Sequence, residues 1–339
     1  MTAAPVACFG EMLLRLASPV GELMLQTPRL QTCFGGAEAN VAVSLARLGQ
    51  PAAMITTLPD NPIGAEARAA LQGHGVDTSR VRFAPGRMGL YFLTPGAVTR
   101  PSEVIYDRAR SAFAEADLAG LDWADLLGGV AWLHVSGVTA ATGPNGAAGA
   151  LAAMRAATAA AVPISFDGNF RGKMWEAWGG DAPSILRELF SHAQLAFADD
   201  RDMALVLGAE FDAPDPAQRR RDAARAAFAA FPRLQSMACT IRTPLSVERQ
   251  DISAMMFSRD KAEASSRARG LERIVERIGG GDAFAAGLLF GKLKGRTEQG
   301  ALDFALAASC LKHSIAGDFN LATAAEVDRA MTGDLDVRR

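Results

Sequence analysis

The sequence predicts an α/β fold: a mainly parallel central sheet flanked by helices, with a smaller β-element beside it. Short β-rich apolar runs alternate with Ala/Leu-rich stretches of helical period, the pattern of a parallel sheet covered on both faces. Two extended, more polar segments interrupt that alternation. No apolar run reaches the roughly 18 residues of a membrane span.

Taken in order, the candidate core strands are Val6–Leu14, Ala52–Leu58, Val130–Val135, Val162–Asp167, Gln194–Ala198 and Ser236–Ile241. Each is a short apolar run of strand length. Helical patterns lie between them at Ala37–Leu48, Gly64–His74, Gly146–Ala161, Ala182–Phe190, Ala217–Phe231 and Asp282–Lys294. The interrupting segments are Leu23–Phe34 and Met88–Arg108, the second divided by turn signals at Thr94-Pro95-Gly96 and Arg100-Pro101. They read either as a small sheet covering a ligand or as ordinary surface hairpins.

The chain has 339 residues, 49% hydrophobic and 21% charged, with 35 basic and 37 acidic side chains giving a formal net charge of −2. That composition is globular. Without a basic stripe interleaved with aromatics, nucleic acid is not an expected partner. The start, Met1 to Ala7, lacks the basic and apolar regions of a signal peptide, so neither membrane nor export is expected. Cys8, Cys33, Cys239 and Cys310 are scattered, which suits reduced thiols of a cytoplasmic protein rather than disulfides or zinc.

Three segments carry candidate chemistry. Gly279-Gly280-Gly281 runs into Asp282 and then an apolar helical pattern. Glycines at a helix N-terminus let backbone N–H groups crowd around an anion, and the macrodipole favours negative charge there. An aspartate at such a place is explained if it takes a proton from a hydroxyl attacking a phosphate. Gly35-Gly36-Ala37-Glu38-Ala39-Asn40 opens a second amphipathic helix, where Asn40 offers a donor and an acceptor to a hydroxylated compound. Taken alone, the paired glycines are equally a structural turn. Asp167-Gly168-Asn169-Phe170-Arg171 follows a strand, and Arg171 suits a carboxylate or phosphate in bidentate fashion, or a surface salt bridge. Neither a GxxxxGK[ST] loop nor the HRD/DFG set of protein kinases is present.

Gly35-Gly36-Ala37-Glu38-Ala39-Asn40-Val41-Ala42 and Gly279-Gly280-Gly281-Asp282-Ala283-Phe284 resemble the two signatures of the ribokinase-like (PfkB-type) sugar kinases. The resemblance runs from the strand with Gly10-Glu11 to about Asn320. It implies one ribokinase-like domain over residues 1–339, with lid strands at about 23–34 and 88–108, and ATP with Mg²⁺ as the phosphate donor.

Within the family the chain is similar to 2-keto-3-deoxygluconate kinases. The resembling residues are Gly89-Leu90-Tyr91, Tyr106 to Ala112, His134-Val135-Ser136-Gly137, Asp167 to Arg171 with Trp175, and Lys312 to Asn320. This implies that Gly35, Gly36 and Asn40 hold sugar hydroxyls and that Tyr91, Tyr106 and Arg108 reach down from the lid. Arg171 engages the sugar-acid carboxylate, and Asp318 adds a contact near the reacting end. Asp282 is the implied base, with the N–H groups of Gly279, Gly280, Gly281 and Asp282 facing the γ-phosphoryl group. Nucleotide contacts fall to Asn169, Asp199, Thr240, Arg242, Gly279 and Gly281, and magnesium to Asp199 and Asp202 through water.

Three positions depart from the family pattern. Asp199-Asp200-Arg201-Asp202 stands where many relatives have Asn-x-x-Glu, and Thr240-Ile241-Arg242-Thr243 where most have a Lys-x-Gly turn. Glu276-Arg277 replaces the usual Asp-Thr before the glycines. The activity expected is formation of 2-keto-3-deoxygluconate 6-phosphate. The alternatives are a fructose, ribose or other keto-deoxy acid kinase, or a non-catalytic sugar-acid-binding relative. Self-association through the lid is also expected.

Overall fold

The computed structural model describes residues 3–333, so residues 1, 2 and 334–339 of the expected domain lie outside the described residues. In chain order the strands are β1 (Val6–Phe9), β2 (Leu13–Ala17), β3 (Gln31–Gly35), β4 (Ala52–Pro59), β5 (Val81–Ala84), β6 (Gly89–Thr94) and β7 (Glu103–Asp107). They continue as β8 (Trp132–Ser136), β9 (Ile164–Asp167), β10 (Leu195–Phe197), β11 (Ser236–Pro244), β12 (Gln250–Ser258), β13 (Lys261–Ser265) and β14 (Arg269–Leu271).

The large sheet runs β13-β12-β11-β10-β9-β8-β1-β4-β5, with β14 also on β12. Pairing is parallel from β11 across to β5 and antiparallel at the β12, β13 and β14 end. Side chains of β1 show why its strands read as continuous apolar runs. Ala7 and Phe9 enter one core, while Val6 and Cys8 enter the other. A strand buried on both faces has no polar side to alternate with. The first core is closed by helices Pro144–Ala159, Ala182–His192 and Pro216–Ala230. Helices Ala37–Arg47, Gly280–Leu293 and Glu298–Lys312 close the second.

A separate sheet, β3-β2-β6-β7, forms the lid. The single strand expected over Val6–Leu14 is thus two: β1 in the core and β2 in the lid. Gly10 and Glu11 lie at the crossing, and Glu11 is tied there to Arg108 and Ser111. Of the extended segment 23–34, only Gln31 onward is strand; residues 18–30 make turns and irregular chain. The expected segment 88–108 holds β6 and β7. Among the described residues, no helix is long and apolar enough to cross a membrane.

Candidate active site

Helix Gly280–Leu293 starts at Gly279, whose φ is +81°. Its first internal bond is donated by the Ala283 N–H to the Gly279 carbonyl at 2.8 Å. The N–H groups of Gly280, Gly281 and Asp282 therefore precede any intrahelical acceptor, which leaves them for an anion. The glycines have individual reasons. A Cβ on Gly279 would lie 2.1 Å from the Asp318 carbonyl oxygen, and one on Gly280 would lie 2.8 Å from the His313 ring. Only Gly281 is open, with Arg242 Nη2 at 3.6 Å from the same position.

Asp282 accepts a hydrogen bond of 2.7 Å from Asn40 Nδ2. Burial pushes its carboxyl up to about 7, with the charges of Glu38 and Asp318 adding to the shift; the Asn40 bond and Arg171 oppose it. The helix dipole alone would act in the opposite direction, so desolvation dominates. Asn40 comes from helix Ala37–Arg47, and its Oδ1 is buried without a hydrogen-bond partner in the protein. A buried acceptor beside a carboxylate suits a hydroxyl donor.

Glu38 holds that helix in place. Its Oε1 accepts from the Ser136 N–H, the Ser136 hydroxyl and the Thr139 hydroxyl at 2.9, 2.6 and 2.7 Å. The acidic position within the N-terminal signature is thus an anchor to the end of β8. Gly35 and Gly36 are also accounted for by contacts within the protein. A Cβ on Gly35 would meet the Asp318 carboxylate at 1.9 Å, and one on Gly36, where φ is +149°, would meet the Glu11 carbonyl at 2.3 Å.

Cross-strand register lines up Cys33, Arg15, Tyr91 and Tyr106 on one face of the lid. Asp318 receives that face: the Tyr91 hydroxyl donates to its Oδ2 at 2.6 Å, and Arg15 Nη1 lies 2.8 Å from its Oδ1. The same Arg15 nitrogen pairs with Glu276 at 2.6 Å. Glu276 Oε1 in turn accepts the N–H groups of Arg277 and Ile278, at 2.9 and 3.0 Å, fixing the turn before the glycines. Tyr106 shares the Tyr91 face but stays exposed, with the ring centroids 6.2 Å apart.

Arg108, expected to reach down from the lid to the sugar, is paired within the protein. Glu11 takes its guanidinium through Nε and Nη2 at 2.7 and 2.6 Å, and both side chains are buried. Arg171 is exposed, and the one described hydrogen bond of its side chain goes to the Phe170 carbonyl. It belongs to none of the ion pairs among the described residues, and its charge reaches Asp167, Asp202 and Asp282.

Of the residues expected to contact the nucleotide, Arg242 is exposed near the end of β11, with Thr240 two residues before it in the same strand. Asn169 sits in the left-handed region at φ +37° and donates its N–H to Asp167. Asp167 is pushed up to about 8, first by burial and then by Asp282 and Asp202. Asp199 and Asp202 make a reciprocal capping box at helix Asp200–Leu207, and Arg201 also holds Asp199 at 2.6 Å. Burial and Asp199 raise Asp202 to about 6. Among the described residues, no group of three or more His, Cys, Asp or Glu side chains is placed to hold a metal.

Sequence reading gave no role to Glu11, Arg15, Glu38 or Glu276. Glu38 lies within one signature and Glu276 just before the other, while Glu11 and Arg15 lie outside both, and their side-chain partners are about a hundred residues away or more. Spacing along the chain holds no signal for such contacts.

Residues 3–235 match the family described as pfkB family carbohydrate kinase. A 2-dehydro-3-deoxygalactonokinase of Haloferax volcanii is 30% identical over 338 residues, 97% of each chain. A 2-dehydro-3-deoxygluconokinase of Thermoproteus tenax is 24% identical, covering 92% of this chain and 89% of its own. The crystal structure of a 2-dehydro-3-deoxygluconokinase from Thermotoga maritima superposes with a TM-score of 0.91 at 34% identity, covering 98% of this chain and 99% of its own. The mixed sheet, its separate lid and these matches agree, and the chain belongs to the PfkB family of carbohydrate kinases.

Proposed function

We propose that this sugar kinase transfers the γ-phosphoryl group of ATP to the primary hydroxyl of 2-keto-3-deoxygluconate, giving the 6-phosphate and ADP. The observation that carries the reading is the Asn40–Asp282 pair: a carboxylate raised to about 7 beside a buried, unpartnered amide oxygen. A hydroxyl placed between them donates its proton to Asp282 as its oxygen bonds to the γ-phosphorus. The bond from that phosphorus to the β–γ bridging oxygen breaks, and ADP leaves with the electron pair. The N–H groups at the start of helix Gly280–Leu293 receive the charge developing on the phosphoryl oxygens. Magnesium would arrive on the ATP phosphates, with Asp202 and Asp199 reaching it only through water, and it would neutralise phosphate charge.

Arg171 supports an acid substrate, because it is a permanent cation beyond the end of β9 with no carboxylate partner among the described residues. Gly35, Gly36, Tyr91, Tyr106 and Asp318 line the lid side, and Asn169, Thr240 and Arg242 the nucleotide side. Glu11 supports a second reading, a neutral sugar such as fructose. By neutralising Arg108 it leaves Arg171 as the single proposed carboxylate ligand. The four free thiols suit a cytoplasmic enzyme.

The deciding measurement is coupled ADP release with Mg-ATP on 2-keto-3-deoxygluconate, 2-keto-3-deoxygalactonate, fructose and ribose. Turnover favouring the keto-deoxy acids is expected, and in Arg171→Met their KM rises at least tenfold while that of fructose is unchanged. Preference for fructose defeats the acid-sugar reading. No turnover on any member, with thermal stabilisation by a sugar acid, points instead to a binding protein.

A further inference from the structure

Lys312 is the last residue of helix Glu298–Lys312 and is wholly buried. Its ammonium donates to the Ile315 carbonyl at 2.9 Å, and it belongs to none of the ion pairs among the described residues. Its Cε lies 3.1 Å from where a Cβ on Gly279 would stand. The stem therefore runs directly beneath the turn that opens the anion-binding helix end. The same helix end supports the turn elsewhere. Ser309 donates its hydroxyl to the Gly280 carbonyl at 2.8 Å, and the His313 carbonyl accepts the N–H groups of Val275 and Glu276.

Burying an ammonium without a carboxylate in contact is costly, and a methionine would fill the same space without that cost. The helix C-terminus repays part of it, but an exposed lysine would gain as much there. Burial lowers the Lys312 ammonium to about 8; Glu276, Asp318 and Asp282 favour its protonated form, and Arg15 opposes it. Arg15 already pairs with both Glu276 and Asp318. What lacks a compensating charge is the anion that arrives above Gly279.

We propose that Lys312 is a positioning residue for phosphoryl transfer: its stem braces the Gly279–Asp282 turn from below and its ammonium sets positive charge under the N–H groups that receive the transferred phosphoryl group. This rests on the reading of that helix end as the phosphoryl site. Lys312 touches neither substrate. It acts through the turn, and in a medium of low dielectric its charge is felt across the backbone.

Lys312→Met is tested in two ways. In turnover on the best sugar of the panel, kcat falls by about tenfold or more while KM for sugar and for Mg-ATP stays within about threefold. In calorimetric titration, ADP with aluminium fluoride, a mimic of the phosphoryl group in transfer, binds at least tenfold more weakly, and ADP alone binds within twofold of the parent. An unchanged kcat, or equal weakening of ADP and of the mimic, overturns the proposal.

Lys312→Ala gives a second route. Ammonium chloride restores part of its turnover relative to sodium chloride at equal ionic strength, and absence of rescue counts against the charge. If neither variant folds by circular dichroism, Lys312 is structural and the proposal fails. Asp282→Asn separates the underlying reading. Should that variant keep full turnover, the phosphoryl site itself is misplaced, whatever Lys312 does.

Discussion

Asp282 sits where two electrostatic rules conflict. A helix N-terminus favours its charge, and burial beside Glu38 and Asp318 disfavours it. Burial wins, leaving a carboxyl near 7 that is suited to proton transfer at neutral pH. Two outcomes follow for Asp282→Asn. Turnover falls by about 10² to 10⁴. The acid limb of kcat/KM for the sugar, centred near 7 in the parent, disappears with it. Stability carries the same signature. Because the folded value lies above the unfolded one of 3.8, the folded state holds the proton between them, and this group's contribution is lost as pH rises towards 7. Thermal unfolding at pH 5 and pH 8 therefore shows Asp282→Asn gaining on the parent at the higher pH. A gain at pH 5 instead would mean that the carboxylate is stabilised by the fold.

The lid and the two site helices are held by buried polar contacts rather than by apolar packing alone. Arg15 on β2 joins Glu276 and Asp318, residues of the main body, so the lid is fastened to the turn that precedes the glycines. Removing one member of such a cluster leaves its partners buried and uncompensated. Arg15→Met is expected to cost about 3–5 kcal/mol, read as a lowered urea midpoint. Adding Glu276→Gln recovers part of the loss; additive losses would show that the pair is not coupled. None of this was legible at the level of elements. The run Val6–Leu14 reads as one strand because apolar residues continue through it, yet Glu11 is bonded to Arg108 and turns the chain into the second sheet. The antiparallel strands β12, β13 and β14 have no clear signal in the sequence: β13 and β14 are short and largely polar, and β12, though mostly buried, carries Gln250, Asp251 and Ser253 within its apolar run.

At the scale of the molecule, the lid's outward side leaves apolar side chains partly uncovered. Leu16, Phe92 and Ile105 lie on the face opposite Arg15 and Tyr91, only partly covered, and Leu23 and Leu25 are exposed in the turn before β3. Pairing of two lids would cover them and the free edge of β7. Sedimentation velocity at micromolar concentration is expected to show a dimer, which Ile105→Lys weakens. A monomer at all concentrations removes the lid from that role.

The sequence by itself determined the class of fold, the family and the two glycine-containing segments. These are local properties: hydrophobic period, helix-opening glycines and the order of the signatures along the chain. Tertiary structure alone decided which side chain answers which. It paired Arg108 with Glu11, while Arg171 belongs to none of the ion pairs among the described residues. It also set Lys312 beneath Gly279. Each depends on contacts between residues far apart in sequence, or on burial, which alone gives a buried charge its cost; neither is written in the order of the amino acids.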